Sequence, residues 1–224
     1  MAGVLYIVAT PIGNLKDITL RAIEILRRAD YVLCEDTRVT GKLLHEYEID
    51  SRIVPFNEFN EEKRIIPIIA DLTDGNNIAL VSDAGTPLVS DPGFKLVRES
   101  VARGIKVESI PGPSAAISAL VVSGLPTDKF LFVGYLPKKE GKRSELLGNV
   151  KKSLELVKST VIIYESPYRL IKSLRAICDI FGDIDIVICR ELTKMHEEVR
   201  REKVSELIEY FSKISPKGEF VVLV

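Results

Sequence analysis

Between residues 4 and 110 the chain repeats one pattern: a short apolar run, a loop of small or polar residues, then a stretch with helical apolar spacing. Residues 4–9, 31–34, 53–56, the run from Ile78 to Val81, and residues 106–110 read as strands. Residues 19–28, 40–47, 61–71 and 94–104 read as helices between them. A helix after each strand carries the chain back to the same edge, so successive strands run parallel. The expected class is α/β, with a mostly parallel sheet through about residue 110.

The pattern loosens after that point. In P-G-P-S-A-A-I-S-A-L-V-V-S-G-L-P, from Pro111, a proline at 113 suits the first turn of a helix. Ser114 can help satisfy its free amides, and Gly124 and Pro126 end it. Further strands are expected at 130–134, 160–164, 184–189 and 219–224, with helices at 144–158, 167–181 and 204–211. Residues 138–143, K-K-E-G-K-R, read as a charged loop. Fewer crossovers point to a mixed sheet. We therefore expect two domains, 1–112 and 113–224, with the boundary falling within residues 111–116.

Composition narrows the class. A length of 224 residues allows one large domain or two small ones. The formal net charge of -1 supplies no global basic field for nucleic acid, though it leaves room for a local patch. Three cysteines, Cys34, Cys178 and Cys189, show no C-x-x-C spacing and an odd count, which fits a reducing cytoplasm. The two histidines, His45 and His196, are far apart, so no metal is expected. No positive n-region opens the chain and no apolar run reaches roughly 18 residues, so neither a signal peptide nor a membrane span is expected.

Five segments carry the candidate chemistry. V-S-D-A-G-T-P-L-V-S-D-P-G, from Val81 to Gly93, follows a buried strand and precedes a helix. Its two glycines, two prolines and two aspartates let backbone approach a ligand and place acceptors at set points. Crevices at the carboxyl ends of strands are where open α/β sheets bind ligands. T-P-I-G-N-L, from Thr10, is a turn without a G-x-G-x-x-G or P-loop pattern, so dinucleotide and P-loop readings lose their warrant. C-E-D-T-R, from Cys34, sets Glu35, Asp36 and Arg38 at a strand end. One carboxylate could act as a base there; the other reading is a helix cap at Asp36 or Thr37 with a local Arg38 ion pair. Y-E-S-P-Y-R from Tyr164 and R-E-L-T-K-M-H-E-E from Arg190 also follow strands, and read first as helix starts or solvated loops. Two basic clusters stand out as possible RNA contacts: Lys138, Lys139, Lys142, Arg143, Lys151 and Lys152, and then Arg200, Arg201 and Lys203.

Taken in this order, the segments resemble the tetrapyrrole methylase superfamily, and most of all its small-subunit ribosomal RNA methyltransferase I branch. The resemblance is carried by L-Y-I-V-A-T-P-I-G-N-L-K-D-I-T (5–19), C-E-D-T-R, V-S-D-A-G-T-P-L-V-S-D-P-G, P-G-P-S-A, F-V-G-Y-L-P, Y-E-S-P-Y-R and R-E-L-T-K-M-H-E. The tetrapyrrole and diphthamide enzymes would carry a glycine-richer first loop and G-D-P in place of Gly85-Thr86-Pro87.

The resemblance implies a two-domain α/β fold with S-adenosyl-L-methionine in the cleft between domains. It implies 2′-O-methylation of a cytidine ribose in the decoding centre of 16S ribosomal RNA, in the small ribosomal subunit, by a homodimer. By position, Asp83, Gly85, Thr86, Pro87 and Val89 would line the cofactor, with Ser114 and Ala115 meeting it from the second domain. Leu136, Tyr164, Glu191, Leu192 and Phe220 would be further contacts. Glu35 or Asp36 would serve as base or orient the hydroxyl, and Arg38 would hold a phosphate. The branch usually continues into a small helical tail beyond K-G-E-F-V-V-L-V, where this chain ends. Two other functions are compatible with the same residues: a methylase acting on a tetrapyrrole or other small molecule, and a non-catalytic RNA-binding module.

Overall fold

Strand β1 (Val4–Val8) lies between β4 (Ile78–Leu80) and β5 (Lys106–Ile110), while β2 (Tyr31–Cys34) lies between β4 and β3 (Ile53–Pro55). All four pairings of this sheet, ordered β3-β2-β4-β1-β5, are parallel. The inner strands are apolar throughout because helices cover both faces. Side chains alternate between two clusters. Leu5, Leu33, Ile78 and Leu80 pack with Phe56, Leu72 and Leu96 on one face. Val8, Val32, Cys34 and Ala79 pack with Leu26 and Leu44 on the other. Since the strands all point one way, the loops that leave their carboxyl ends gather on one rim.

The computed structural model describes residues 2–224. The chain forms two compact units, Met1–Ser114 and Ala115–Val224. In the first, α1 (Leu20–Arg28) is capped by Thr19, whose hydroxyl accepts from the Ala22 N–H at 3.1 Å. Helix α2 (Thr37–Glu46) starts three residues earlier than its apolar spacing predicts, because Asp36 caps it through the Arg38 N–H at 2.8 Å. Helix α3 (Glu61–Thr73) continues through Pro67. That proline and Lys63, whose carbonyl it leaves without an amide, are both exposed, so water can replace the lost bond. Helix α4 (Phe94–Ala102) completes the unit.

The second unit holds a mixed sheet, β6-β7-β10-β8-β9. Strands β6 (Phe130–Tyr135) and β7 (Thr160–Glu165) are parallel; β10 (Phe220–Leu223) runs antiparallel to β7 and to β8 (Asp185–Arg190). The sequence pattern missed β9 (Glu198–Lys203), which pairs antiparallel with β8 along its whole length. E-V-R-R-E-K has a single apolar residue, and it forms a strand because it is an edge whose side chains stay polar.

Four helices pack on this sheet: α5 (Ala115–Ser123), α6 (Glu140–Leu156), α7 (Leu170–Phe181) and α8 (Val204–Lys213). Pro113 lies outside α5, contrary to the expected first-turn position. Residues 140–143 belong to α6, not to a loop, and residues 167–169 form a turn before α7. Leu147, Ile163, Leu174, Ile188, Leu207 and Phe220 are among the buried side chains of the core. Phe211 meets Phe220 edge-on at 5.6 Å. Among the described residues no helix is long and apolar enough to cross a membrane.

Candidate active site

The rim of the first unit is tied together by backbone. Thr10, just after β1, exchanges two main-chain bonds with Gly85: Thr10 N–H to the Gly85 carbonyl at 2.9 Å, and Gly85 N–H to the Thr10 carbonyl at 3.0 Å. The Thr10 hydroxyl donates to the Ser82 carbonyl at 3.1 Å, and the Ser82 hydroxyl to the Gly85 carbonyl at 3.3 Å. The Thr86 hydroxyl donates to the carbonyl of Pro113, after β5, at 3.1 Å. Thus loops from three strands fix one another.

Glycine is required where this loop turns. Gly93 has φ 126°, and a Cβ there would stand 2.8 Å from Leu80 Cδ2. Leu88 and Ser90 are themselves left-handed, with φ 71° and 69°. Such residues each cost about 1–3 kcal/mol and persist only where their surroundings hold them. One such hold is Glu61, whose Oε1 accepts from the Gly93 N–H at 3.1 Å in a buried position.

The electrostatics of the rim separate its carboxylates into two kinds. Asp36 is committed: it accepts from the Arg38 backbone at 2.8 Å and from the guanidinium Nε at 3.0 Å. That pairing holds its carboxyl down to about 2. Glu35, Asp83 and Asp91 form no salt bridge among the described residues. Burial pushes Glu35 up, and the charges of Asp83, Glu58 and Asp36 add to it. Burial likewise raises Asp83, despite the Asp36 N–H that donates to it at 3.0 Å. Asp91 is pushed up to about 6, by burial first and then by Glu35. Glu35 and Asp83 also line an open depression of about 420 Å³, together with Asp36, Arg38, Glu58 and Phe59. Four acids there face the one guanidinium of Arg38, itself paired with Asp36, and the net negative charge attracts a positively charged ligand.

In the second unit the corresponding segments are bound up internally. The Tyr164 hydroxyl accepts from the Ala116 N–H at 3.1 Å, in the first turn of α5. Its ring meets Phe132 edge-on at 4.9 Å. Glu165 is wholly buried and takes an ion pair from Arg169 at 2.8 Å, the Ser166 N–H at 2.7 Å and the Ser173 hydroxyl. Arg169 also donates to the Leu136 carbonyl at 2.9 Å. Glu191 accepts from Lys194 Nζ at 2.9 Å and from the Glu219 N–H at 3.0 Å. These bonds outweigh burial and bring its carboxyl below the usual range. Leu136, Leu192 and Phe220 are buried.

The expected residues therefore fall into groups. Glu35, Asp36, Arg38, Asp83, Gly85, Thr86, Pro87 and Val89 share the rim of the first unit. Ser114 ends that unit and Ala115 begins α5. Leu136, Tyr164, Glu191, Leu192 and Phe220 belong to the second. Sequence reasoning passed over Asp91, although the repeated S-D pair of the loop marked it, and Glu58 and Phe59, which carried no motif.

Residues 4–208 match the family model for Tetrapyrrole (Corrin/Porphyrin) Methylases. The chain shares its fold with the cobalamin biosynthetic enzyme cobalt precorrin-4 methyltransferase, at a TM-score of 0.71, 18% identity, and 98% and 94% coverage of this chain and that one. Diphthine synthase gives 0.74 at 19% identity, with 99% and 89% covered. By fold and sequence the chain is a tetrapyrrole methylase family protein.

Similarity to curated proteins is closer. Ribosomal RNA small subunit methyltransferase I of Thermotoga maritima is 48% identical over 221 residues, 99% of this chain and 97% of that protein. The proteins of that name from Mesorhizobium japonicum and Escherichia coli O157:H7 are 50% and 45% identical, over 98% and 99% of this chain and 74% and 77% of theirs. Within the larger family, the chain belongs to the ribosomal RNA small subunit methyltransferase I family.

Proposed function

We propose that this protein transfers a methyl group from S-adenosyl-L-methionine to the ribose 2′-hydroxyl of a cytidine in the decoding centre of 16S ribosomal RNA. The small ribosomal subunit is the substrate, and a cytoplasmic homodimer the working form. The observation that carries the cofactor is the carboxylate group Glu35, Asp83 and Asp91 beside a loop locked by its own backbone. Three acids engaged in no ion pair among the described residues fit a ligand bearing a sulfonium and an ammonium. The substrate rests on the name shared by relatives 43–50% identical to this chain.

When bound, the cofactor supplies a methyl on a sulfonium sulfur, which leaves as a neutral thioether once the ribose oxygen has taken the carbon. The chain's residues have to align the reacting atoms and handle one proton. In this reading Asp83, Gly85, Thr86, Pro87 and Val89 hold the cofactor from the first unit. Ser114, Ala115, Leu136, Tyr164, Glu191, Leu192 and Phe220 act from the rest of the chain, the buried ones through main chain. Of the two candidate bases, Asp36 is tied to Arg38 and to the α2 amide, which weakens it as a base. Glu35 has no cation partner, and its raised proton affinity suits acceptance of the hydroxyl proton. The Arg38 guanidinium, 86% exposed, can meet an RNA phosphate while keeping Asp36.

Tritiated S-adenosylmethionine offered with small subunits, bare 16S ribosomal RNA and a tetrapyrrole tests the proposal. Label is expected on the 2′-oxygen of one cytidine. Label in the tetrapyrrole alone would replace this reading with the small-molecule one, and no cofactor affinity at all would favour a binding module.

A further inference from the structure

Arg143 is the one lysine or arginine among the described residues that is buried, at 7% exposure. Among the described residues it nevertheless has no carboxylate partner: no salt bridge there includes it, and its Nε is buried without a hydrogen-bond partner. Of five guanidinium donors, the one bond made is a long contact from Nη1 to the Lys138 carbonyl at 3.5 Å. Holding a guanidinium this buried with no carboxylate beside it is costly, and the donors it leaves open suit an incoming anion.

The place it occupies is suited to one. Arg143 is the fourth residue of α6, and helical side chains lean back toward the N-terminus, which brings its head to the Lys138 carbonyl just before the cap. The first main-chain bond of the helix runs from Arg143 N–H to the Lys139 carbonyl at 3.0 Å. The amides of Glu140, Gly141 and Lys142 therefore lack helical acceptors, and Lys139 caps none of them with its side chain. An added Cβ on Gly141 would meet nothing within 4 Å, so this turn is open to approach. Lys138, Lys139 and Lys142 are exposed around it, against the single acid Glu140.

We infer that the start of α6 is a phosphate site, with the Arg143 guanidinium as its floor and the free first-turn amides as its wall, and that its ligand is a backbone phosphodiester of the RNA substrate. A helix N-terminus with a fixed arginine fork matches the geometry and charge of a phosphate. The partner class rests on the ribosomal RNA reading above.

The test measures binding of the full chain to a 16S ribosomal RNA transcript over a series of salt concentrations, alongside thermal melting without RNA. Arg143→Met should bind about ten-fold more weakly and lower the slope of log affinity against log salt by about 1. It should melt no lower than wild type, since an uncompensated buried charge has been replaced by an apolar chain. Arg143→Lys, which keeps charge without the fork, should fall between them in affinity. If Arg143→Met matches wild type in affinity and slope, or melts well below it, the site is overturned and Arg143 is a packing residue. If wild type itself fails to bind the transcript at every salt concentration, the RNA reading falls, and the phosphodiester assignment with it.

Discussion

The carboxylates of the first unit's rim and those of the second unit's motifs have opposite circumstances. On the rim, Glu35, Asp83 and Asp91 crowd one another and bind protons more tightly than free acids. In the second unit, Glu165, Glu191 and Glu198 are each met by cations: Arg169, then Lys194, then Arg200 and Arg190. Glu191 and Glu198 consequently hold their protons less tightly. Both regions carry acid-rich motifs of similar appearance in the sequence. The difference is that one region leaves its charge unanswered, which invites a ligand, while the other consumes its charge in holding loops together.

The sharpest way to break this contrast is to remove Glu165. Glu165→Ala leaves Arg169 and the Ser173 hydroxyl without their buried acceptor, and a cost of about 3–5 kcal/mol is expected in the urea midpoint. Replacing a rim acid should do the reverse. Glu35→Gln should slow single-turnover methylation about 10²-fold while leaving the midpoint equal or higher, because a like charge has gone. A Glu35→Gln enzyme with normal single-turnover rates would remove Glu35 from the chemistry.

Next in size are two glycines. A Cβ on Gly218, at φ 93°, would fall 2.5 Å from the Glu191 carboxylate, whereas one on Gly104, at φ 70°, would meet nothing within 4 Å. Gly218→Ala should therefore cost about 2–3 kcal/mol and Gly104→Ala about 1 kcal/mol by chemical denaturation. Equal costs would show that the Glu191 junction is looser than described.

The smallest effect has opposite signs in the two regions. Asp91 is raised from 3.8 to about 6, so between those values the folded chain holds a proton the unfolded chain has lost. Its contribution to stability falls as pH rises through that window. Glu191 and Glu198 are lowered from 4.5, so their contribution is present above that value and is lost as pH falls below it. Urea midpoints measured across this range should lose the larger share of the descending part in Asp91→Asn, leaving what Glu35 and Asp83 contribute, and keep the acid-side loss. A descending part that survives undiminished in Asp91→Asn would place the proton elsewhere on the rim.

Much of the architecture was legible beforehand. Apolar runs such as Y-V-L-C and the helical spacing between them revealed the parallel sheet, because a strand covered on both faces must be apolar throughout. The missed strand β9 shows where that signal stops. E-V-R-R-E-K reads as charge, yet Arg201 bonds the Ser123 carbonyl at 2.9 Å and Arg200 stands 3.6 Å over the Tyr210 ring. Two of the three residues of the expected second basic cluster are thus occupied within the unit, in pairings across distant residues that no local pattern reveals.

At the site, the loop after β4 was visible as an excess of glycine, proline and aspartate at a strand end. Which acid is left without a cation partner was not visible. C-E-D-T-R presents Glu35 and Asp36 as equals, and the start of α2 together with the Arg38 side chain separates them. Asp91 and Arg143 gain their character from burial, which depends on what the rest of the chain lays over them.

Sequence by itself determined the class of fold, the order of the apolar elements and the family, because periodicity and motif spacing are properties of neighbouring residues. Only the tertiary structure decided which charges are answered and which are left open. Proton affinity and ligand attraction depend on distance and desolvation between residues far apart in the chain, and folding alone sets those.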